Sequence, residues 1–165
     1  MNIFYVHRNP VVAAQMMCDK HVVKMVIETA QMLCTAHTFS KIRARKMGLY
    51  LPAHVMHPST KWVRSSREHY EWTYAHFVAL CDEYTHRYDK VHMTDKKLRE
   101  KLKGVPEHIV GAGFCDPPQC MFEDVKCADT VEAYRNYYRV YKKNFARWTR
   151  RNVPDWFTAT DQKEE

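Results

Sequence analysis

The chain has 165 residues, of which 45% are hydrophobic and only four are glycine, which excludes a disordered chain and disfavours a β fold with many turns. Its 26 Lys and Arg against 19 Asp and Glu give a formal charge of +7, which favours a polyanionic partner such as nucleic acid. We find no secretory signal after Met1 and no apolar run as long as a membrane span, so we expect reduced cysteines and a cytoplasmic location.

The first elements in chain order are a short apolar arm and a long helical region. Residues Ile3 to Val6 are β-prone and predict a short strand or an extended arm. Asn9-Pro10 has the pattern of a helix start, an N-cap followed by proline. The helical pattern then continues to about His37, with a kink or a new N-cap at Cys18-Asp19. Its broad apolar face predicts a nearly buried helix.

The middle of the chain alternates basic loops with helices. Residues 40–56 are basic and predict an irregular segment. Aromatic and apolar residues at helical spacing then predict one long helix over 59–88. A short helix is predicted over 95–103, with Thr94 as its N-cap and Gly104 at its end.

The last third contains a long loop and a final helix. Residues 105–127 form a stretch with several prolines and glycines, and a loop of that length usually has a function. Asp129 with Glu132 resembles a capping box and begins a helix that we predict to extend to about Arg150. These elements predict an all-α fold: a compact single-domain helical bundle over 1–165, with long loops, a short N-terminal extended arm and a flexible tail at about 158–165.

A stripe of charged residues follows the first long helix. Lys20, Lys24 and Glu28 are spaced i, i+4, i+8 and therefore share one helix face, which Gln31 extends and beside which His21 lies. Charges on a nearly buried helix are stable when they are paired or face a wet cleft. The stripe therefore indicates acid–base chemistry or phosphate binding, and a solvated face stabilised by i, i+4 pairs is the alternative.

This helix resembles the first helix of the bacteriophage pyrimidine-dimer DNA glycosylases of the endonuclease V type. In that family a short arm leads into a helix with an Asp, a His two residues later and a catalytic Glu nine residues after the Asp. Asp19, His21 and Glu28 have that spacing. The Lys-x-x-x-Lys-x-x-x-Glu-x-x-Gln pattern and the later His57-Pro58 are similar to a wider set of uncharacterised phage and bacterial proteins. The resemblance covers about the first third of the chain.

The resemblance implies roles for individual residues. It implies that Glu28 is the catalytic carboxylate and that His21 positions the substrate or the DNA backbone. The family's nucleophile is the α-amine of a chain whose Met has been removed before a small residue. Here Asn2 is large, which predicts that Met1 is retained, and the α-amine of Met1 is then one candidate nucleophile.

Two further positions bear on the same chemistry. Lys24 is a substitute amine if the fold buries it. The family's Arg three residues after the catalytic Glu is replaced here by Gln31.

Basic and aromatic residues elsewhere predict contacts to DNA. The last helix interleaves both kinds, which suits phosphates and unpaired bases, although an amphipathic helix with core aromatics has the same composition. His57, Lys61 and Arg64 lie at a predicted helix start, where backbone N–H groups favour a phosphate, although a plain helix cap is equally compatible. The predicted nucleic-acid-binding residues are Lys20, Gln31, His57, Lys61, Arg64, Tyr138, Lys142, Lys143, Arg147 and Trp148.

A metal site is not expected. Cys115, Cys120 and Cys127, with His108 nearby, lack the closely spaced pair that is typical of zinc sites. We therefore predict neither a metal nor another cofactor.

These patterns lead to one principal function and two alternatives. The principal prediction is a DNA base-excision enzyme, an N-glycosylase with or without AP-lyase activity, that flips a damaged or modified base out of double-stranded DNA. The alternatives are an enzyme of nucleotide or modified-base metabolism and a non-catalytic nucleic-acid-binding host-takeover protein. We expect no obligate protein partner, no membrane contact, and the host cytoplasm as location if the protein is viral.

Overall fold

The computed structural model describes residues 1–158, and over that range it contains helices and loops but no strand, which confirms the all-α prediction. The flexible tail predicted at about 158–165 lies outside the described residues, apart from Thr158. Within the described range, none of the helices has both the length and the apolar character that crossing a bilayer requires.

Two long helices form the centre of the fold, and shorter helices pack around them. The helices in chain order are α1 (Pro10–Met16), α2 (Asp19–His37), α3 (Lys41–Met47), α4 (Pro58–Val63), α5 (Arg67–Tyr88), α6 (Met93–Leu98), α7 (Thr130–Tyr141) and α8 (Asp155–Thr158), with a 3-10 turn at Glu123–Val125. Helix α5 packs against α1, α2 and α4, and α2 also packs against α4 and α6. The face of α2 that is turned away from these neighbours carries the charged stripe.

The N-terminal arm is part of the core. Residues Ile3 to Val6 form no strand, and all four are buried. Phe4 adopts a left-handed backbone conformation (φ 56°), which is uncommon for a bulky residue, and its ring stacks on His21 with centroids 4.0 Å apart. Arg135 of α7 donates a hydrogen bond to the carbonyl of Val6. The arm is thus held between α2 and α7, and this fixes where the chain begins.

The long helix predicted over 59–88 is wrong, because the structure has two helices there. Helix α4 ends at Val63, and α5 begins at Arg67 after a break. Ser66 caps α5 by accepting a hydrogen bond from the N–H of Glu68, and Ser65 donates its hydroxyl to the carbonyl of Trp62. These local side-chain bonds compete with the helical ones and separate the helices.

Two other segments also differ from their predictions. The irregular segment predicted over 40–56 contains α3, which Ser40 caps and which Gly48 ends in the left-handed conformation (φ 67°). The short helix predicted over 95–103 is α6, which begins two residues earlier and ends at Leu98. His92 rather than Thr94 caps it, and Thr94 is buried.

The last long helix ends nine residues earlier than predicted, at Tyr141 rather than about Arg150. The chain then turns and crosses the N-terminal end of α2, where the N–H of Asp19 donates to the carbonyl of Arg147. The side chain of Asp19 in turn accepts hydrogen bonds from the N–H and the hydroxyl of Thr149. These contacts place the basic residues after α7 beside the start of the charged stripe.

Candidate active site

The amino terminus lies beside the carboxylate of Glu28. The Met1 α-nitrogen is 3.7 Å from Oε2 of Glu28, and Nζ of Lys24 is 3.1 Å from Oε1 of the same side chain. The Met1 side chain is only 1% exposed while the residue as a whole is partly exposed, so its accessible part is the main chain. The structure therefore brings together Met1, Lys24 and Glu28, three of the four residues predicted to be catalytic.

The two oxygens of Glu28 face different cations, Oε1 the ammonium of Lys24 and Oε2 the Met1 amine. Its side chain is 15% exposed, and Oε2 is buried without a hydrogen-bond partner among the described residues. A buried carboxylate oxygen without a donor is costly, and in native proteins such an atom usually has a function or binds water. A small movement of the Met1 amine towards this oxygen, or a donor from a substrate, would complete its hydrogen bonding.

Asn2 anchors the amino terminus. Its Nδ2 donates to the carbonyl of Cys120 at 2.8 Å, and its Oδ1 accepts from the N–H of Ile3 and the hydroxyl of Tyr134. The side chain is buried, so these bonds fix the peptide unit that follows the amine. Sequence reasoning missed this role, because it considered Asn2 only for its size.

His57, the residue just before α4, lies near the same cluster. Its Nδ1 accepts a hydrogen bond from the N–H of Ser59, so it is the N-cap of α4. Partial burial lowers the pKa of His57, and the positive charges of the Met1 amine and of His54 lower it further. His57 therefore stands near the amine as a neutral side chain, while its own Nδ1 is used in the cap.

His21, the fourth residue predicted to be catalytic, is buried beneath the cluster. Its Nδ1 is 2.5 Å from the hydroxyl of Tyr138, and the ring of Phe4 covers one face. Burial lowers the pKa of His21 to about 3, with smaller contributions from the charges of Lys142 and Lys24. A neutral, covered imidazole suits the role of holding the arm on α2 better than direct contact with a DNA backbone.

The predicted DNA contacts divide into exposed and buried residues. Lys20 is exposed, with its Nζ 4.7 Å from the ring centre of Phe145, and Lys143 and Arg147 are exposed on the segment after α7. Lys142 is half-buried, with its Nζ 4.4 Å from the ring centre of Tyr137. Lys20 and Lys142 therefore lie close to each other, since both approach the ring of Phe145.

The remaining predicted contacts lie along α2 and α4. Gln31 is half-buried on α2, and Lys61 is exposed on α4. Arg64 is half-buried, stacks over Phe39 and keeps one buried guanidinium nitrogen, Nη1, without a hydrogen-bond partner among the described residues.

Two aromatic residues predicted to bind DNA are instead in the core. Tyr138 is 0% exposed, because its ring packs beneath the arm and its hydroxyl meets His21. Trp148 is 9% exposed, and its Nε1 donates to the carbonyl of Met16. Neither side chain presents a face to a base in this structure, so these two predictions are wrong.

A surface cleft of about 540 Å³ opens next to the amino terminus. Two of its lining residues connect it to the cluster: His57, which stands near the amine, and Cys120, whose carbonyl is bonded to Asn2. Its aromatic walls are Phe122 and Tyr137, whose ring centres are 6.3 Å apart, and Lys126 also contributes. This volume lies within the range of small-molecule sites, and the walls suit a planar group. The sequence singled out neither Phe122 nor Gln119, because they lie in the long loop.

The cysteines do not form a metal site in the structure. Across residues 1–158, no group of three or more His, Cys, Asp or Glu side chains is arranged to hold a metal ion. Cys115 and Cys127 are exposed, and Cys120 is half-buried beside Ser59.

The fold is helical, and its site places an amine beside a carboxylate, with cations and an aromatic cleft around them. These features define a class of protein that binds a polyanion with planar groups, such as nucleic acid. A family profile described as pyrimidine dimer DNA glycosylase matches residues 1–97, more than half of the chain. The chain therefore belongs to the pyrimidine dimer DNA glycosylase family, which implies a DNA substrate. Neither the curated proteins nor the solved structures contain a match to this chain.

Proposed function

We propose that the protein is a DNA N-glycosylase, with AP-lyase activity, that uses the Met1 α-amine as nucleophile and Glu28 as catalytic carboxylate. The observation that carries this proposal is the separation of 3.7 Å between the α-nitrogen and Oε2 of Glu28, an oxygen without another partner. A positioned amine beside a carboxylate is the arrangement that Schiff-base chemistry needs.

The reaction starts with the unprotonated amine. Its lone pair attacks the anomeric carbon of the damaged nucleotide, and the electrons of the glycosidic bond leave with the base, which takes up a proton. The nitrogen lone pair then forms the imine on Met1 as the C1′–O4′ bond breaks, and O4′ takes up a proton, so that the sugar ring opens to a protonated imine. Glu28, within 4 Å, stabilises the positive charge that develops on the sugar and the imine. In the lyase step a base removes a proton next to the imine and the 3′ phosphate leaves, and Glu28 is placed to accept that proton.

Lys24 supports this chemistry as a cation. Its side chain is 61% exposed, so the burial that an amine nucleophile at this position needed is absent. Its ion pair with Oε1 leaves Oε2 for the amine, which divides the two oxygens of Glu28 between two tasks. Lys20, Lys142 and the exposed cations after α7 are available for the phosphates on either side.

The cleft beside the amino terminus is where we place a base that has left the stack. Phe122 is 59% exposed and packs edge to face against the half-buried Tyr137, and Lys126 lies at the same cleft. Tyr137 thereby takes the stacking role that the sequence assigned to Tyr138. An extrahelical base stacked in this way leaves the amine room to reach the sugar.

The experiment that tests the proposal is borohydride trapping on a duplex that contains one cyclobutane pyrimidine dimer. Borohydride reduces an imine to a stable amine, so we expect a covalent protein–DNA adduct whose peptide map places the DNA on Met1. Acetylation of the amino terminus should abolish the adduct, whereas Lys24→Met should retain it. An adduct on Lys24 would contradict the assignment of the nucleophile. No adduct and no base release, on this duplex or on one with an abasic site, would contradict the glycosylase itself.

A further inference from the structure

The net charge of the protein is concentrated in one part of the chain. Residues 29–67 contain seven Lys and Arg and no Asp or Glu, while the rest of the chain has 19 of each sign. The whole formal charge of +7 therefore lies between Glu28 and Glu68. Four of these seven cations are on α3, the short helix that the sequence did not predict: Lys41, Arg43, Arg45 and Lys46.

These four cations are exposed and have no acidic partners in the part of the chain that the structure describes. All four side chains are solvent-exposed, and no ion pair there includes any of them. Two exposed arginines elsewhere in the chain do have acidic partners, since Arg8 pairs with Asp129 and Arg150 pairs with Asp89. A dense set of unpaired cations raises the local potential and favours a partner with regularly spaced negative charges.

Helix α3 is firmly attached to the rest of the fold. Ala44 on its inner side is fully buried, and Leu49 just after it is also in the core. Ser40 caps its start, and Nζ of Lys101 donates to the carbonyl of Met47 at its end. The cations are therefore presented on a fixed element and not on a mobile loop, and a fixed element loses less entropy on binding.

Exposed apolar side chains accompany these cations. Phe39 is 59% exposed and Ile42 is 67% exposed, and the guanidinium of Arg64 stacks over the Phe39 ring with 5.0 Å between centres. A surface of cations mixed with single apolar groups fits the sugar–phosphate backbone, which has both charged and apolar parts. At about 10 Å, α3 is as long as three successive nucleotides of one strand, each about 3.4 Å.

The separation between α3 and the active site can be estimated along the two helices that lie between them. Nine residues of α2 separate Glu28 from His37, which corresponds to about 14 Å of helix. Along α4, seven residues separate His57, near the amine, from Arg64, which contacts Phe39, or about 10 Å. At about 3.4 Å per base pair, both distances correspond to three to four base pairs of DNA.

We infer that α3 is a second DNA contact, which binds the duplex backbone about three to four base pairs away from the nucleotide that is processed at Glu28. This inference rests on the proposed function for the location of the damaged nucleotide, but it concerns binding and not the chemistry. It predicts that affinity depends on how far the duplex extends on one side of the lesion.

The experiment compares two triple variants that lower the net charge equally. Arg43→Gln, Arg45→Gln and Lys46→Gln remove cations from α3, and Gln preserves its helical propensity. The matched control is Arg8→Gln, Lys90→Gln and Arg150→Gln, which removes three cations from the balanced remainder of the chain. Binding of a dimer-containing duplex of more than two helical turns is measured as a function of salt concentration.

We expect the α3 variant to reduce the slope of log K against log salt by about 2 to 3, and to weaken binding on the order of tenfold or more, because each lost phosphate contact contributes about 0.9 to that slope. The control should change this slope by less than about 0.9, which is the contribution of one phosphate contact. Shortening the duplex to two base pairs on one side of the dimer should weaken the wild type and leave the α3 variant unaffected.

Equal slopes for the two variants, or an equal effect of shortening on wild type and α3 variant, would overturn the inference. Binding of the wild type, but not of the α3 variant, to phosphatidylserine vesicles without any slope difference on DNA would assign α3 to a membrane surface and overturn it as well. Borohydride trapping on the shortened duplex separates this outcome from the chemistry. An intact adduct with equal slopes for the two variants would support the glycosylase and contradict the α3 contact. A reduced slope for the α3 variant without any adduct would support the α3 contact and contradict the glycosylase.

Discussion

Helix α2 carries two ionic clusters that differ in how completely their polar atoms are satisfied. At its first residue, Asp19 accepts hydrogen bonds from Arg87, at 2.8 Å, and from Thr149. The guanidinium of Arg87 is 0% exposed and also donates to Glu83 and to the carbonyl of Gln15. Every nitrogen of that buried guanidinium therefore has an acceptor, and the cluster joins α2, α5 and the C-terminal segment.

The second cluster lies nine residues further along the same helix. Glu28 has Lys24 on one oxygen and leaves the other without a hydrogen bond, 3.7 Å from the Met1 amine. Both acidic residues belong to the motif that carries the family resemblance, yet their surroundings differ in kind. The comparison teaches that the closed cluster stabilises the fold, whereas the open one keeps bonding capacity for a substrate.

The largest effect should come from opening the closed cluster. Arg87→Ala would leave Asp19 and Glu83 with fewer partners in a buried setting, and we expect the free energy of unfolding to fall by about 3 to 5 kcal/mol. Urea denaturation measures this change. The control is Arg150→Ala, which removes an exposed pair with Asp89 and should cost far less, because solvent screens exposed ion pairs. Similar losses of unfolding free energy for Arg87→Ala and Arg150→Ala would contradict the special stabilising role of the closed cluster.

Glu28→Gln should have the reverse pattern, with lost activity and retained stability. The amide is isosteric but cannot stabilise a cationic sugar or accept the proton, so we expect base release to slow by about 10²- to 10³-fold. Single-turnover cleavage of the dimer-containing duplex measures the rate, and thermal unfolding verifies the fold. Glu71→Gln, at an exposed carboxylate on α5, serves as the control and should retain full activity. A wild-type rate in Glu28→Gln would exclude the carboxylate from the reaction.

His21 should make the protein sensitive to acid. Burial lowers its pKa in the folded state to about 3, below the ordinary value of 6.5 in the unfolded chain. The unfolded chain therefore binds the proton first, so stability is complete above pH 6.5 and falls as the pH drops from 6.5 towards 3. The slope from this histidine is about 1.4 kcal/mol per pH unit.

Unfolding free energies of wild type and His21→Gln between pH 7 and pH 5 measure that slope. The variant should be less stable at neutral pH and should lose less stability on acidification. His76, whose pKa burial lowers to about 4, remains in both proteins and contributes equally. Parallel pH curves for the two proteins would place the acid sensitivity elsewhere.

The smallest effect is expected for Tyr138→Phe, which separates a core residue from a DNA contact. Loss of the hydroxyl removes the hydrogen bond to Nδ1 of His21, at a cost of about 1 kcal/mol in stability. Affinity for a dimer-containing duplex should be unchanged. Tyr141→Phe, at an exposed hydroxyl on the same helix, should leave both stability and DNA affinity at the wild-type values. Weaker DNA binding by Tyr138→Phe would instead show that Tyr138 contacts DNA.

The sequence was informative where local pattern and spacing determine structure. The buried face of α2 and the shared face of Lys20, Lys24 and Glu28 follow from helical periodicity, and the fold places an amine where the resemblance implied one. The burial of Tyr138 was also accessible, because Tyr134 and Tyr138 are one turn apart and both lie on the core side of α7. Amino-acid composition does not reveal this burial, because a helix rich in Arg and Tyr has the same composition whichever face is buried.

Contacts between distant residues were not accessible. Asp19 and Thr149 are 130 residues apart, and the bond between them determines where the chain crosses α2 after α7. Asn2 and Cys120, 118 residues apart, determine where the amino terminus lies. Neither pairing leaves a periodic pattern, so the cleft formed by the long loop and the early end of α7 could be found only in three dimensions.

The buried side chain of Asn2 has a practical consequence for anyone who produces the protein. Because it fixes the first peptide unit, any residues fused ahead of Met1 would start beside Glu28 and would replace the free amine by an amide. A purification tag at the amino terminus would therefore block the α-amine. Its proteolytic removal would have to leave no additional residue ahead of Met1. Affinity handles therefore belong at the carboxyl terminus.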